Sequence, residues 1–129
     1  MRLPIYRSPM RRATLAAGTA VAALALAGAV TAATSLTVAP AAVHRGHRVI
    51  VRGNADGCPV GSAVTIISKA FAHTQDFAGL PAVFARVRSG GKFGIRPRIP
   101  AAKPVGNYAV SARCGGGNLG VSATIHVVA

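Results

Sequence analysis

Hydrophobic positions along this chain fall into two regimes. From Ala13 to Ala33 they form one continuous uncharged block; from Ser35 onward they come as short runs that alternate with polar residues and are punctuated by Gly, Pro, Asn and Asp. Alternation with a period of two is the signature of half-buried strands. It predicts strands over Ser35–Val38, Arg48–Arg52, Ala63–Ser68, Ala82–Arg88, Lys92–Ile99, Asn107–Cys114 and Val121–Val128. No window of the length a helix needs carries a 3.6-residue period in this part. Because successive side chains point to opposite faces of a strand, Val49 and Val51 are expected inward and Arg48, Ile50 and Arg52 outward. Phe93 and Ile95 likewise oppose Arg96 and Arg98. Tyr108, Val110, Ala112 and Cys114 share an inward face, as do Val121, Ala123, Ile125 and Val127. Seven short strands with turn signals between them predict an all-β antiparallel sandwich.

The turns have a physical basis. Arg45-Gly46, Asn54–Gly57, Ser89-Gly90-Gly91 and Gly115–Asn118 supply residues that tolerate positive φ, and Pro40, Pro100 and Pro104 end ladders. The connection from Ser68 to Pro81 breaks the pattern. It holds Phe71, His73, Phe77 and Leu80, enough apolar surface to fold over the domain or line a groove, which makes these four residues the candidate ligand loop.

The continuous block changes the picture. Arg2, Arg7, Arg11 and Arg12 precede it, and Val30-Thr31-Ala32 closes it with small residues, the order of a secretory signal peptide. Residues 1–32 are therefore expected to form a signal helix cleaved after Ala32, or, uncleaved, an anchor, since roughly 20 apolar residues span a bilayer. Met10 is a second possible start. What remains, 33–129, is the length of one domain. It carries eleven basic residues against Asp56 and Asp76, a net charge of about +9, which favours anionic partners. Outside a cell these are envelope polymers, lipid headgroups or acidic proteins. Cys58 and Cys114 are the only cysteines, and an even pair in an oxidising compartment reads as one disulfide.

Little catalytic chemistry is available. Asp56 sits in a Gly-rich turn and Asp76 in the long connection, too few carboxylates for a glycosidase pair or a calcium cage. His44 and His47 would need His73 or Asp76 as a third ligand, and two solvated turn histidines is the stronger reading, so neither metal nor cofactor is expected. No serine stands in a nucleophile motif. Nucleic acid is disfavoured as a partner, because few aromatics remain for base stacking once Phe93 and Tyr108 enter the core. The basic residues Arg86, Arg88, Lys92, Arg96 and Arg98 read as a solvent-facing stripe on two neighbouring strands, serving either edge protection or contact with an anionic partner.

Two segments carry a family resemblance. Ser35-Leu36-Thr37-Val38-Ala39-Pro40, followed by Gly46 and Val49-Ile50-Val51, resembles the opening of bacterial immunoglobulin-like repeats. Pro104-Val105-Gly106-Asn107-Tyr108-Ala109-Val110-Ser111-Ala112-Arg113-Cys114 is similar to the closing strand of such modules in secreted and surface proteins of high-GC Gram-positive bacteria, and Ser89-Gly90-Gly91-Lys92-Phe93 stands where they carry a turn. The resemblance implies a seven-strand immunoglobulin-like sandwich without enzymatic activity, used for binding, display or spacing at the cell surface or outside the cell. It also implies that the bridge ties two loops at one end of the sandwich. The alternative is a small-molecule carrier, since the layout also resembles antibiotic-binding apo-chromoproteins, with Phe71, Phe77 and Leu80 lining the cleft.

Overall fold

A computed structural model describes residues 33–115 and 117–129 of the chain. The signal-segment expectation falls on residues 1–32 and lies outside them. Among the described residues the regular structure is β, apart from one 3-10 turn at Ser89–Gly91, and no helix is long and apolar enough to cross a membrane.

Among the described residues nine strands form two sheets. They are β1 (Ser35–Ala39), β2 (Ala42–His44), β3 (Ile50–Asn54), β4 (Ala63–Ile67), β5 (Asp76–Phe77), β6 (Leu80–Arg86), β7 (Lys92–Ile95), β8 (Gly106–Cys114) and β9 (Gly117–Val128). The three-stranded sheet has the order β1-β3-β7, and the six-stranded sheet the order β2-β9-β8-β4-β6-β5. Every pairing is antiparallel except β2 on β9. All seven alternating runs contain a strand. The two short strands, β2 and β5, carry too few residues for a periodicity to show. The run expected to continue to Ile99 ends at Ile95, but an isolated bridge from Arg98 to Arg48 extends its pairing.

The inward faces meet in one core. Leu36, Val49, Val51 and Phe93 from the small sheet pack with Val64, Ile66, Val110, Ala112, Ile125 and Val127 from the large one. Burying an aliphatic or aromatic side chain of this size is worth about 1.5–3 kcal/mol relative to exposure, so this cluster is what holds the layers together. Gly53 marks the tightest approach: a Cβ there would lie 2.1 Å from the Ser35 carbonyl oxygen and 2.5 Å from Phe93 Cζ, so only glycine lets β1 and the Phe93 ring close on β3. Between β1 and β2 the chain crosses from one sheet to the other over a cis Ala39–Pro40 peptide. The Cys58–Cys114 disulfide, with Cα atoms 6.2 Å apart, joins the β3–β4 connection to the end of β8. It therefore links the two sheets covalently at one end.

On β4 the inside-outside alternation fails. Val64 and Ile66 face the shared core, yet Thr65 and Ile67 on the opposite face are also buried. The cover comes from the β5–β6 hairpin. Phe77 lies on the edge strand, three positions from β8 in the sheet, yet its ring centroid is 5.1 Å from the guanidinium carbon of Arg113 on β8. Strands in a flat sheet lie about 4.8 Å apart, so the hairpin must curl back over the outer face. Its tip, Ala78-Gly79, has φ of 51° and 82°, the left-handed pair of a type I′ turn. Alanine is an unfavourable residue in this region because of its Cβ.

Candidate functional site

The outer face of the three-stranded sheet collects cations from three places in the sequence. β3 and the residue run before it contribute Arg48 and Arg52, β7 and its continuation contribute Lys92, Arg96 and Arg98, and Arg88 enters from the β6–β7 connection. Register explains the convergence. Arg52 is opposite Gly94 across the β3–β7 ladder, and Arg48 is opposite Arg98. Over Gly94 there is no side chain, and two arginines use the space: Arg52 Cγ and Arg88 Nη2 lie 3.6 and 3.9 Å from the point a Cβ would occupy. Neither these two nor Lys92 has a carboxylate partner among the described residues.

The turn that carries Arg88 and Lys92 is pinned to β3. Asn54, itself buried, donates through Nδ2 to the Gly90 carbonyl at 2.7 Å, and the Ala55 N–H donates to the Gly91 carbonyl at 2.7 Å. Arg88 N–H closes the turn on the Lys92 carbonyl at 2.7 Å. The side chains of Arg52, Arg88 and Lys92 thus border a depression of about 390 Å³ whose other polar walls are Ser35, Thr37 and Asn54. At the far end of the same face, Arg48 Nη1 donates to the Arg96 carbonyl at 2.8 Å and Arg98 Nε to the Gly46 carbonyl at 3.1 Å. Like charges directly opposite on a sheet destabilise it. An anion laid across Arg48 and Arg98 would relieve that repulsion.

Of the five residues in the expected stripe, Arg88, Lys92, Arg96 and Arg98 lie on or over this face, and Arg86 does not. β6 and β7, expected to be neighbours, belong to different sheets, and Arg86 projects from the large sheet, where its Nη1 donates to the Gly61 carbonyl at 2.9 Å. The sequence stripe omitted Arg48 and Arg52. Their outward direction was readable from alternation, but the pairing of β3 with β7 is a contact across some forty residues that no local pattern encodes.

The loop residues are not brought to one cleft. Phe71 is buried in the core cluster, and His73 pairs with Asp76 through Nε2 and Oδ1, both side chains being more than half exposed. Phe77 stacks under Arg113. Leu80 lines a separate depression of about 300 Å³ with Ile67, Ala109 and Ser111. His44 and His47 have ring centroids 5.8 Å apart, and among the described residues no group of three or more His, Cys, Asp or Glu side chains is arranged to hold a metal ion.

No family model and no curated protein matches the chain. Solved structures align with part of it at low similarity. An alkylpurine DNA glycosylase, AlkC, from Pseudomonas fluorescens, bound to DNA containing an abasic site analogue, aligns over 73% of this chain and 29% of its own, at 18% identity and a TM-score of 0.48. A cycloisomaltooligosaccharide glucanotransferase from a Paenibacillus species, complexed with cycloisomaltoheptaose, aligns over 73% of this chain and 14% of its own, at 14% identity and a TM-score of 0.41. The chain therefore spans less than a third of either protein.

Proposed function

We propose that this chain is an exported, non-enzymatic, immunoglobulin-like binding or structural module of the cell surface or extracellular space, and that the outer face of its three-stranded sheet meets an anionic polymer or protein of the cell envelope. The observation that carries the reading is the collection of Arg48, Arg52, Arg88, Lys92, Arg96 and Arg98 at one sheet face, without a carboxylate partner for any of them among the described residues. Charge of one sign on a rigid surface attracts a polyanion and loses its hold as salt screens it.

Three features support the immunoglobulin-like reading. β1 pairs with β3 in one sheet while β2, the continuation of the same segment, pairs in parallel with β9 in the other. Tyr108, at the start of β8, donates its hydroxyl to the Pro104 carbonyl at 2.6 Å, which resembles the tyrosine corner of these domains. The disulfide sits at one end and joins the two sheets. The bridge also supports an oxidising compartment. Under this reading residues 1–32 direct export, whether cleaved or kept as an anchor, and intact mass of protein recovered from medium and membrane fractions distinguishes the two.

The test is binding of inorganic polyphosphate, as a soluble polyanion probe, by the purified protein at increasing salt. Affinity is expected to fall steeply with salt, and Arg52→Glu with Arg96→Glu is expected to reduce it at least tenfold while the melting temperature holds. Salt-independent binding, or binding indifferent to the double reversal, overturns the reading.

A further inference from the structure

The two sheets meet along two sides, β1 against β9 on one and β6 against β7 on the other, and on neither side do the facing strands exchange a ladder, so the β6–β7 side is a seam of side chains alone. The seam is visible in burial. Val83 and Ile95 point inward from these two strands and pack on the core, yet each stays partly open, whereas the inward residues Val51, Val110 and Ile125 are fully buried. The first half of the long connection, Phe71 to Thr74, lies across this gap, held by the Ala72 N–H to the Arg98 carbonyl at 3.4 Å. It does not fill it. A pocket of about 490 Å³ remains, with Phe71, Val83, Ile95 and Pro97 as its apolar lining and Arg48, Arg96 and Arg98 as its basic residues.

We propose that this seam pocket binds a small organic anion with an aromatic body. Its volume is in the range of small-molecule sites, which are mainly apolar with a few convergent polar groups. The apolar lining gives an aromatic ring a surface on which to leave water. Three guanidinium groups offer what an anionic substituent needs, and their planes also stack on aromatic faces. Arg48 and Arg98 each commit one nitrogen to a backbone carbonyl, which fixes their positions and leaves the other N–H groups to the ligand. None of the three has a carboxylate partner among the described residues, so an incoming anion displaces no ion pair. The pocket joins two features that looked unrelated in sequence, the apolar connection around Phe71 and the basic run at Arg96 and Arg98. Its lining does not overlap the depression bordered by Arg52, Arg88 and Lys92, but it shares Arg48, Arg96 and Arg98 with the cationic face, so what distinguishes it is the apolar lining and not the charge.

The experiment is a titration of the purified protein with naphthalene-2-sulfonate, followed by fluorescence and by amide chemical shifts. Saturable one-to-one binding is expected, with methanesulfonate, which has the charge alone, and 2-naphthol, which has the ring alone, each at least tenfold weaker. Ala72→Phe projects a ring into the pocket from the connecting loop and is expected to lower affinity for naphthalene-2-sulfonate at least tenfold while polyphosphate binding stays unchanged. Thr74→Trp blocks the same space should the first variant melt early. Arg98→Gln is expected to weaken the ligand with little change in melting. The proposal is overturned if methanesulfonate binds as well as the aromatic sulfonate, if octyl sulfate binds tighter than it, or if both blocking variants fold and bind normally.

Discussion

The two outer faces of this domain follow opposite rules. On the three-stranded sheet, β3 and β7 alternate cleanly: Val49, Val51, Phe93 and Ile95 turn in, and Arg52, Lys92 and Arg96 turn out to water. On the six-stranded sheet the outer residues Thr65, Ile67 and Ala82 are as buried as core residues, at 9%, 8% and 0% exposure, where the β5–β6 hairpin curls back, while Phe84 on the same face is 41% exposed and Thr124 and His126 of β9 face water. The first face is free to carry charge because nothing covers it. The second holds a small satellite core around β4, beside which Arg113 meets the Phe77 ring, and is open to water elsewhere.

The widest break in the comparison would come from separating the sheets. Replacing Cys58 and Cys114 by serine opens a closure spanning 56 residues, which in the chain-entropy model removes about 4 kcal/mol; thermal melting is expected to drop in one transition, both faces being lost together. Two transitions would mean that the faces are independent units. Next in size, Ile67→Ala should cost about 2–4 kcal/mol in denaturant unfolding if the satellite core is packed as described, whereas Arg52→Ala should stay within about 0.5 kcal/mol. A similar small cost at both sites would erase the distinction between the faces. Tyr108→Phe removes the bond to the Pro104 carbonyl and should cost about 0.5–1.5 kcal/mol. Smallest and of opposite sign, Ala78→Gly relieves the left-handed alanine at the hairpin tip and should stabilise by roughly 0.5 kcal/mol, tightening the cover over Ile67. Loss of stability there would show that the tip is held by contacts of the Ala78 methyl group.

These contrasts also explain what was legible beforehand. Strands β3, β7, β8 and β9 were readable because a half-exposed strand writes its two environments into alternate residues. β4 was readable as a strand but its faces were not, since Val64-Thr65-Ile66-Ile67 is buried on both sides and its composition cannot say which side is the main core. The disulfide was readable from cysteine count, and its position at one end followed from the family resemblance. The cationic face was only half readable. Lys92, Arg96 and Arg98 share a strand and its continuation, but joining them to Arg52 needs the β3–β7 register, and parting them from Arg86 needs the knowledge that β6 and β7 lie in different sheets. Phe71 was readable as part of an apolar connection that folds over the domain or lines a groove, but not as a core residue, because one aromatic in an irregular segment has no period to show that it faces inward.

One feature of the topology bears on force. β2 runs parallel to β9, so the entry to the first and the exit from the second leave opposite ends of their ladder, from Ala42↔His126 to His44↔Val128. Tension applied between residue 33 and residue 129 passes first through β1 on β3 and, once β1 has given way, loads the β2–β9 hydrogen bonds in shear, together instead of one by one. Forced unfolding is governed by the height of the unfolding barrier rather than by equilibrium stability, so the response of this domain to pulling is set by how that short ladder yields and not by its overall stability.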